Sequence, residues 1–494
     1  MSHDSFLSRL HPQIAQPPQV AAPEPLSRES LLADLTPPQS QAVLCTEGPL
    51  LVLAAAGSGK TRVITRRIAY LVSCGVPAWS ILALTFTNKA AGEMRERVYH
   101  LIGSAEQRPV RGLTITTFHS LCARLLRRYA VPAGLKPDFT IYDTSDQTAL
   151  CKKVIEGLQL STSNFPARSV LSAISNAKND LLDAEAFAQQ VFDFSGKQIA
   201  KIYASYTKAL RSANAVDFDD LLLLMAKVLK IDESVREECR RRWQYLLVDE
   251  YQDTNHAQFL IASLIAGEGD KAAKGDGAKA AGPNFCVVGD PDQAIYGWRG
   301  ADISNILEFE EHYPGAKVIT LGENFRSTAP ILAVADGLIR HNKRRKHKDL
   351  FTSRKGGEKV EAVLCRDERH EAQLVADWLK AQSQASAEDE HEGIPWREMA
   401  VFYRTNSLSR VMEESLRGAS IPYTIARGTA FYEREEVKTA LAYLRVVANQ
   451  ADGVSLARIV NTPTRGIGGT SLDRVEVFAA PQGLTLFEAM QRAG

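Results

Sequence analysis

The sequence has almost no charge imbalance: 59 Lys plus Arg stand against 58 Asp plus Glu, a formal net charge of +1. No global basic field exists to gather nucleic acid, so any groove for a polyanion must be local. Paired cysteines are missing too. The seven cysteines, at 45, 74, 122, 151, 239, 286 and 365, form no Cys-x-x-Cys unit, which argues against a zinc or iron–sulfur site and for a reducing cytoplasm. No stretch approaches the roughly twenty apolar residues of a membrane span, and the N-terminus lacks the apolar core of a secretory signal. What remains is a chain of 494 residues, 45% hydrophobic, long enough for several domains with large cores.

The most informative stretch is Val287-Val-Gly-Asp-Pro-Asp-Gln-Ala-Ile-Tyr-Gly-Trp-Arg-Gly300. An apolar strand, Phe285 to Val288, delivers Gly289 and Asp290 to a loop where Asp292 and Gln293 can meet a metal, a water or a γ-phosphate. Tyr296 and Trp298 with Arg299 then supply flat faces and a cation, a combination that holds single-stranded nucleic acid without reading its sequence. Taken alone, the segment reads equally well as a polar turn followed by core aromatics.

Upstream, the strand Leu50-Leu-Val-Leu-Ala54 runs into Ala55-Ala-Gly-Ser-Gly-Lys-Thr61 and then an amphipathic helix. Strand, small-residue loop and helix in that order are the setting of a phosphate-binding loop. Ala55, Ala56, Gly57, Ser58 and Gly59 form its cradle, with backbone N–H groups and a helix N-terminus facing the anion. Lys60 reaches the β- and γ-phosphates, and the Thr61 hydroxyl suits Mg²⁺. Ala54 stands where the strict pattern has its first glycine. A second apolar strand, Tyr245 to Val248, ends in Asp249 and Glu250. Adjacent residues at a strand end point different ways, so Asp249 can join the Mg²⁺ shell while Glu250 orients or deprotonates a water.

Together with these motifs, Leu35-Thr-Pro-Pro-Gln39, Leu82-Ala-Leu-Thr-Phe-Thr-Asn-Lys-Ala-Ala91, Thr116-Thr-Phe-His-Ser120, Val216-Asp-Phe-Asp-Asp220, Val248-Asp-Glu-Tyr-Gln-Asp253 and Glu323-Asn-Phe-Arg-Ser327 occur in order. Tyr403-Arg-Thr-Asn406, Phe431-Tyr-Glu-Arg434 and Asn461-Thr-Pro-Thr-Arg-Gly-Ile-Gly468 follow. Over about residues 33 to 480 the chain resembles the UvrD/PcrA/Rep-type superfamily-one DNA helicases.

The resemblance implies a role for each matching position. Gln39 is similar to an adenine-reading glutamine, whose amide donates and accepts at once. Phe325 stands where an adenine-stacking tyrosine is common, and Arg62 lines the nucleotide site. Arg326 resembles an arginine that reaches the γ-phosphate, and Gln293 its sensor. The catalytic set is thus Lys60, Asp249, Glu250, Gln293 and Arg326, using ATP and Mg²⁺. Thr85, Phe86, Asn88, His119, Tyr296, Trp298 and Arg299 are expected on single-stranded DNA, Thr85 and Asn88 through phosphates and the aromatics through bases. Gly466-Ile-Gly468 resembles a turn against duplex DNA, as close backbone approach would allow. The implied activity is ATP-dependent 3′ to 5′ unwinding at single-strand/duplex junctions, in repair or replication.

The expected fold class is α/β: two RecA-like domains with parallel sheets, each carrying a helical insertion. Residues 1–30 read as a disordered leader. The first RecA-like domain spans 31–118 and 216–305, with a helical subdomain at 119–215 and a flexible loop at 267–283. A partial second domain covers 306–424, with strands near 317–321, 360–364 and 398–403, and a partial second insertion covers 425–494. The basic run Arg340 to Lys348 is the obvious cluster for a local polyanion groove, though a charge run at a helix end is usually a solvated face. The family's later Thr-x-His-x-x-Lys-Gly segment and Thr-Arg pair do not occur, so the sequence predicts a C-terminally incomplete motor that hydrolyses ATP poorly by itself. The motor part of a helicase–nuclease subunit and a non-catalytic DNA-binding protein are the alternatives.

Overall fold

The structure, a computed structural model, describes residues 27–103, 112–267, 283–384, 393–426 and 435–493. Most of the expected leader, most of the 267–283 loop and all of Phe431 to Arg434 lie outside the described residues. The chain divides into two compact units, one of Met1–Gly357 with Ala442–Gly494 and one of Glu358–Leu441.

The strands of the first unit are β1 (Leu50–Ala54), β2 (Ile81–Thr85), β3 (Thr114–Thr117), β4 (Thr140–Ile141), β5 (Ala215–Val216), β6 (Tyr245–Val248), β7 (Asn284–Gly289) and β8 (Lys317–Leu321). Six form a parallel sheet in the order β3-β2-β6-β7-β1-β8. Parallel neighbours require crossovers, and helices supply them on both faces. Because side chains alternate along a strand, Leu51, Leu53, Leu82, Leu84, Leu246 and Val248 enter one core with the helices Phe118–Arg128, Phe218–Ile231 and His256–Ala266. Leu50, Val52, Ile81, Ala83 and Leu247 enter the other with the helices Lys60–Ser73 and Asn88–Ile102. The α/β class expected from the sequence is the class observed.

Strand order also sets the chemistry. β6, β7 and β1 are neighbours, in register Val248↔Val287 and Leu53↔Gly289, so their carboxyl ends open side by side. That edge is where ligands of open parallel sheets bind.

Three expected placements differ. Lys317–Leu321 does not open a second sheet; it pairs with β1 from Leu50↔Lys317 to Ala54↔Leu321. β1 is buried along its whole length, and a wholly buried strand takes a neighbour on each side. The helix Phe118–Arg128, expected in the insertion, instead buries Phe118, Leu121, Cys122, Leu125 and Leu126 in a core of the main sheet. In the second unit, residues 360–364 and 398–403 carry no strand pairing. Leu364 and Phe402 there are 97% and 93% exposed, and apolar residues form strands only with a surface to pack on. That unit's small core joins the helices Glu368–Ser383 and Ser409–Gly418 through Ala376, Leu379 and Leu416.

The helical insertion is bracketed by β4 and β5, which pair in parallel as a neck. Its helices bury Tyr142, Ile155, Ile174, Ile202, Tyr203 and Tyr206. At its base the buried ammonium of Lys178 lies 2.6 Å from Asp217 and 2.9 Å from Asp220. Within the same unit, the Tyr142 hydroxyl donates to Asp452 at 2.8 Å, and Arg445 pairs with Asp146 at 2.8 Å. Among the described residues no helix is long and apolar enough to cross a membrane.

Candidate nucleotide and nucleic-acid site

β1 ends at Ala54 and the chain turns through the small-residue loop into the helix that Lys60 opens. Gly57 has φ +65°, and a side chain there would put its Cβ 2.6 Å from Asn324 Nδ2 and 2.9 Å from Arg326 Cβ. The loop is therefore packed from outside by the segment after β8. Asn324 Nδ2 donates to the Ala56 carbonyl at 2.6 Å, and the Phe325 N–H donates to the Gly57 carbonyl at 3.0 Å. Phe325 and Arg326 thus lie against the loop formed by Ala55 to Gly59, with the Phe325 ring 43% exposed.

Gln39 is buried, and its amide is already used. Nε2 donates to the Ser58 carbonyl at 2.9 Å, and Oε1 accepts the Thr36 N–H at 3.1 Å. In this geometry Gln39 braces the loop from behind. Arg62 faces Asp34 at 3.3 Å, Thr61 lies in the first helical turn, and the Ser58 hydroxyl is buried without a hydrogen-bond partner among the described residues.

At the end of β6, burial and then the charge of Glu250 push the Asp249 carboxyl up to about 7, with Lys60 acting in the opposite sense. Glu250 sits at φ 50°, a left-handed conformation unusual for a non-glycine residue. The turn aims its carboxylate at Lys60, whose Nζ donates to Glu250 Oε2 at 2.7 Å and to Gln293 Oε1 at 3.1 Å. Three expected catalytic side chains from three different strand ends therefore meet at one ammonium.

Sequence reasoning missed Gln252. Its buried amide donates to Glu250 Oε2 at 2.9 Å and accepts the Asp290 N–H at 2.9 Å, tying β6 to β7. A Cβ on Gly289 would lie 2.5 Å from Gln252 Oε1, so glycine is what permits that approach. Also missed were Lys348 and Arg345. Lys348 Nζ lies 2.5 Å from carboxylate oxygens of both Asp290 and Asp292, and Arg345 lies 3.1 Å from Asp292. Asp292, expected on a metal, a water or a phosphate, has its Oδ2 occupied by these cations, while its buried Oδ1 has no hydrogen-bond partner among the described residues. Charge complementarity between the 340–348 run and the two aspartates was the available signal.

Beyond Gln293 the chain rises into an aromatic group. The Phe86 and Tyr296 rings lie 4.5 Å apart, Tyr296 and Trp298 lie 6.4 Å apart, and the Arg299 guanidinium stands 4.7 Å from the Trp298 ring. Trp298 is 68% exposed. Thr85 is buried, its hydroxyl donating to the Thr87 carbonyl at 3.1 Å, while Asn88 Oδ1 accepts from the Ser120 hydroxyl at 3.3 Å. His119 lies 6.0 Å from the Phe218 ring; burial, then the Arg299 charge, lower its imidazole to about 4. In the Gly466-Ile-Gly468 turn both glycines are exposed and Ile467 is half-buried.

Residues 35–314 match the UvrD/REP helicase N-terminal domain, and residues 319–492 the UvrD-like helicase C-terminal domain. Over 462 residues the chain is 43% identical to the ATP-dependent DNA helicase PcrA of Staphylococcus epidermidis, covering 93% of this chain and 60% of that protein. The ATP-dependent DNA helicase PcrA of Staphylococcus aureus strain Mu50 is 42% identical over 465 residues, 94% of this chain and 60% of the relative. The chain thus spans about 60% of the length of these curated relatives. With both domain matches in order and a small-residue loop, paired carboxylates and an aromatic group at the strands' carboxyl ends, this chain belongs to the UvrD/REP helicase family.

Proposed function

We propose that this chain is the motor of an ATP-dependent DNA helicase that steps along single-stranded DNA and parts the duplex at junctions, in repair or replication. One observation carries the reading: Gln293 accepts from Lys60 at 3.1 Å, and three residues later Tyr296 packs 4.5 Å from Phe86. A group that senses the terminal phosphate is thereby joined by a very short tether to the surface that would hold bases. The 3′ to 5′ polarity rests on the family resemblance alone.

In this mechanism the loop Ala55 to Gly59 holds the phosphates, and Lys60 leaves Glu250 to meet them. Glu250, released, orients or deprotonates the attacking water. Arg326, placed beside Gly57, offsets charge that develops on the transferred phosphoryl group. Among the described residues no three His, Cys, Asp or Glu side chains converge on a metal position. That suits Mg²⁺, which binds through one or two protein groups and substrate phosphates rather than a protein cage. The Asp249 carboxylate, which would give up any proton to the cation, and the Thr61 hydroxyl would hold it, and its charge would offset that of the phosphates. A cytoplasmic setting belongs to the same reading, since all seven cysteines are free thiols.

The test is ATP hydrolysis by the chain with and without oligo(dT), beside Lys60→Ala. Hydrolysis stimulated by the oligonucleotide, and abolished in the variant while oligonucleotide binding persists, is the expected result. A folded chain that binds neither ATP nor oligo(dT) would sink the reading.

A further inference from the structure

Asp290 and Asp292 flank the start of the sensor loop with side chains only 2% and 10% exposed. Two carboxylates withdrawn from water at this spacing need cations. Neither comes from the nucleotide loop. Lys348, itself 4% exposed, bridges both at 2.5 Å, and Arg345 adds a second charge to Asp292 at 3.1 Å. The charges of this group of four cancel.

Asp290 passes its position on. Its Oδ2 accepts from Gln293 Nε2, its Oδ1 accepts from the Asp292 N–H at 3.0 Å, and its own N–H is held by Gln252. Gln293 in turn presents Oε1 to Lys60. An unbroken polar chain therefore runs from Lys348 through Asp290 and Gln293 to Lys60 and Glu250.

The far end of that chain is attached to the element that braces the nucleotide loop. Phe351, three residues after Lys348, accepts the Asn324 N–H at 2.7 Å and donates its own N–H to the Gly322 carbonyl at 3.3 Å. Asn324 holds Ala56, and Arg326 lies against Gly57. A shift of the 322–351 segment would thus be felt at the phosphate loop through Asn324 and at the sensor loop through Lys348 together.

We propose that Lys348, supported by Arg345, is a positioning residue: it clamps Asp290 and Asp292 so that Gln293 faces the terminal phosphate, and it links that placement to the segment carrying Arg326. The clamp rests on the ATP-motor reading above. It acts on turnover more than on nucleotide affinity, because the cradle of Ala55 to Gly59 is braced directly by Gln39 and Asn324, and Lys60 keeps Glu250 as a second partner, so losing Lys348 displaces Gln293 first.

The test compares the full chain with its Lys348→Ala, Lys348→Arg and Arg345→Ala variants, in affinity for a fluorescent ATP analogue and for oligo(dT), and in KM and kcat for oligonucleotide-stimulated hydrolysis. Lys348→Ala should lower kcat by about tenfold or more, the scale on which misplaced groups act, with KM and both affinities within about twofold. Lys348→Arg should recover a substantial part of that loss, which a purely structural role would not predict. Should Lys348→Ala fail to fold, as thermal melting would show, Arg345→Ala and Asp290→Asn decide, each expected to lower kcat with KM little changed. A wild-type kcat in Lys348→Ala, or in both of the latter variants, overturns the clamp. If the parent chain fails to bind the ATP analogue at all, the underlying motor reading falls instead.

Discussion

Lys60 Nζ donates to Glu250 Oε2 at 2.7 Å, so the cation expected on the phosphates and the carboxylate expected on the water are each other's partners. A phosphate entering the cradle competes for the same ammonium. Glu250 then keeps Gln252, which donates to the same oxygen at 2.9 Å, as the neighbour that orients it.

Glu250→Gln preserves the shape and removes the base. The expected loss in kcat is about 10²–10⁴-fold, the usual contribution of a positioned general base. Affinity for ATP should hold or rise, since a neutral amide competes less well for Lys60. Phosphate release and titration with a fluorescent ATP analogue measure the two effects, and an undiminished kcat would remove Glu250 from the chemistry.

Trp298 offers the most exposed face of the aromatic group, with Arg299 on it at 4.7 Å. Trp298→Ala should weaken oligo(dT) binding by about 1–3 kcal/mol, the contribution of one stacked base. ATP affinity should change little, because among the described residues the polar links of Lys60, Glu250 and Gln293 do not run through the indole. Fluorescence anisotropy with labelled oligo(dT) checks this, and equal affinity in the variant would take Trp298 off the track.

The strand, loop and helix around Ala55 to Gly59 were legible because their signals are local: an apolar strand, a loop of small residues and a helix start specify a backbone cradle without distant partners. The basic clamp was not, since Lys348 and Asp290 lie 58 residues apart and only the fold brings a run that looks solvated onto two buried carboxylates. Gln39 was legible as a residue with both a donor and an acceptor. Its engagement by Ser58 and Thr36 depends on where the loop folds back. The apolar pattern of Lys317–Leu321 announces a strand but not its sheet, because strand neighbours are set by topology. Residues 360–364 have strand-type composition without a packed face, and composition alone cannot supply one.

His119 gives a pH test with a definite sign. Its imidazole is lowered from 6.5 to about 4 by burial and then by Arg299, so near neutrality it is an uncharged ring and no phosphate cation. Between those values the unfolded chain binds a proton that the folded chain refuses, so stability rises with pH across the window and falls as pH drops from 6.5 toward 4. At about 1.4 kcal/mol per pH unit, the whole effect is at most roughly 3 kcal/mol. Urea unfolding at pH 4.5 and 7 should show a smaller acid loss for His119→Gln than for the parent. Identical losses would mean that His119 protonates freely in the fold.

Lys178 is the last test, and it concerns how the helical insertion is held to the sheet. Its ammonium is 1% exposed, 2.6 Å from Asp217 and 2.9 Å from Asp220, with the Tyr206 hydroxyl donating to Asp217 at 3.2 Å. Asp220 has further help from Arg211 at 3.6 Å, whereas Asp217 relies on Lys178 for its cation. Lys178→Ala therefore leaves a buried carboxylate uncompensated and should cost about 3–5 kcal/mol, far more than the intact pair adds over an apolar replacement. Adding Asp217→Asn removes the stranded charge, so the double variant should be clearly more stable than the sum of the single losses predicts. Urea midpoints of the four proteins measure that coupling, and strictly additive losses would show that the pair does not act as a unit. The neighbouring residue gives the result a functional edge: Asn179 Oδ1 accepts from Asn255 Nδ2 at 2.6 Å, and Asn255 bridges to Ala301 just past the aromatic group. Loosening Lys178 should consequently lower oligo(dT) affinity even at temperatures where the variant remains folded.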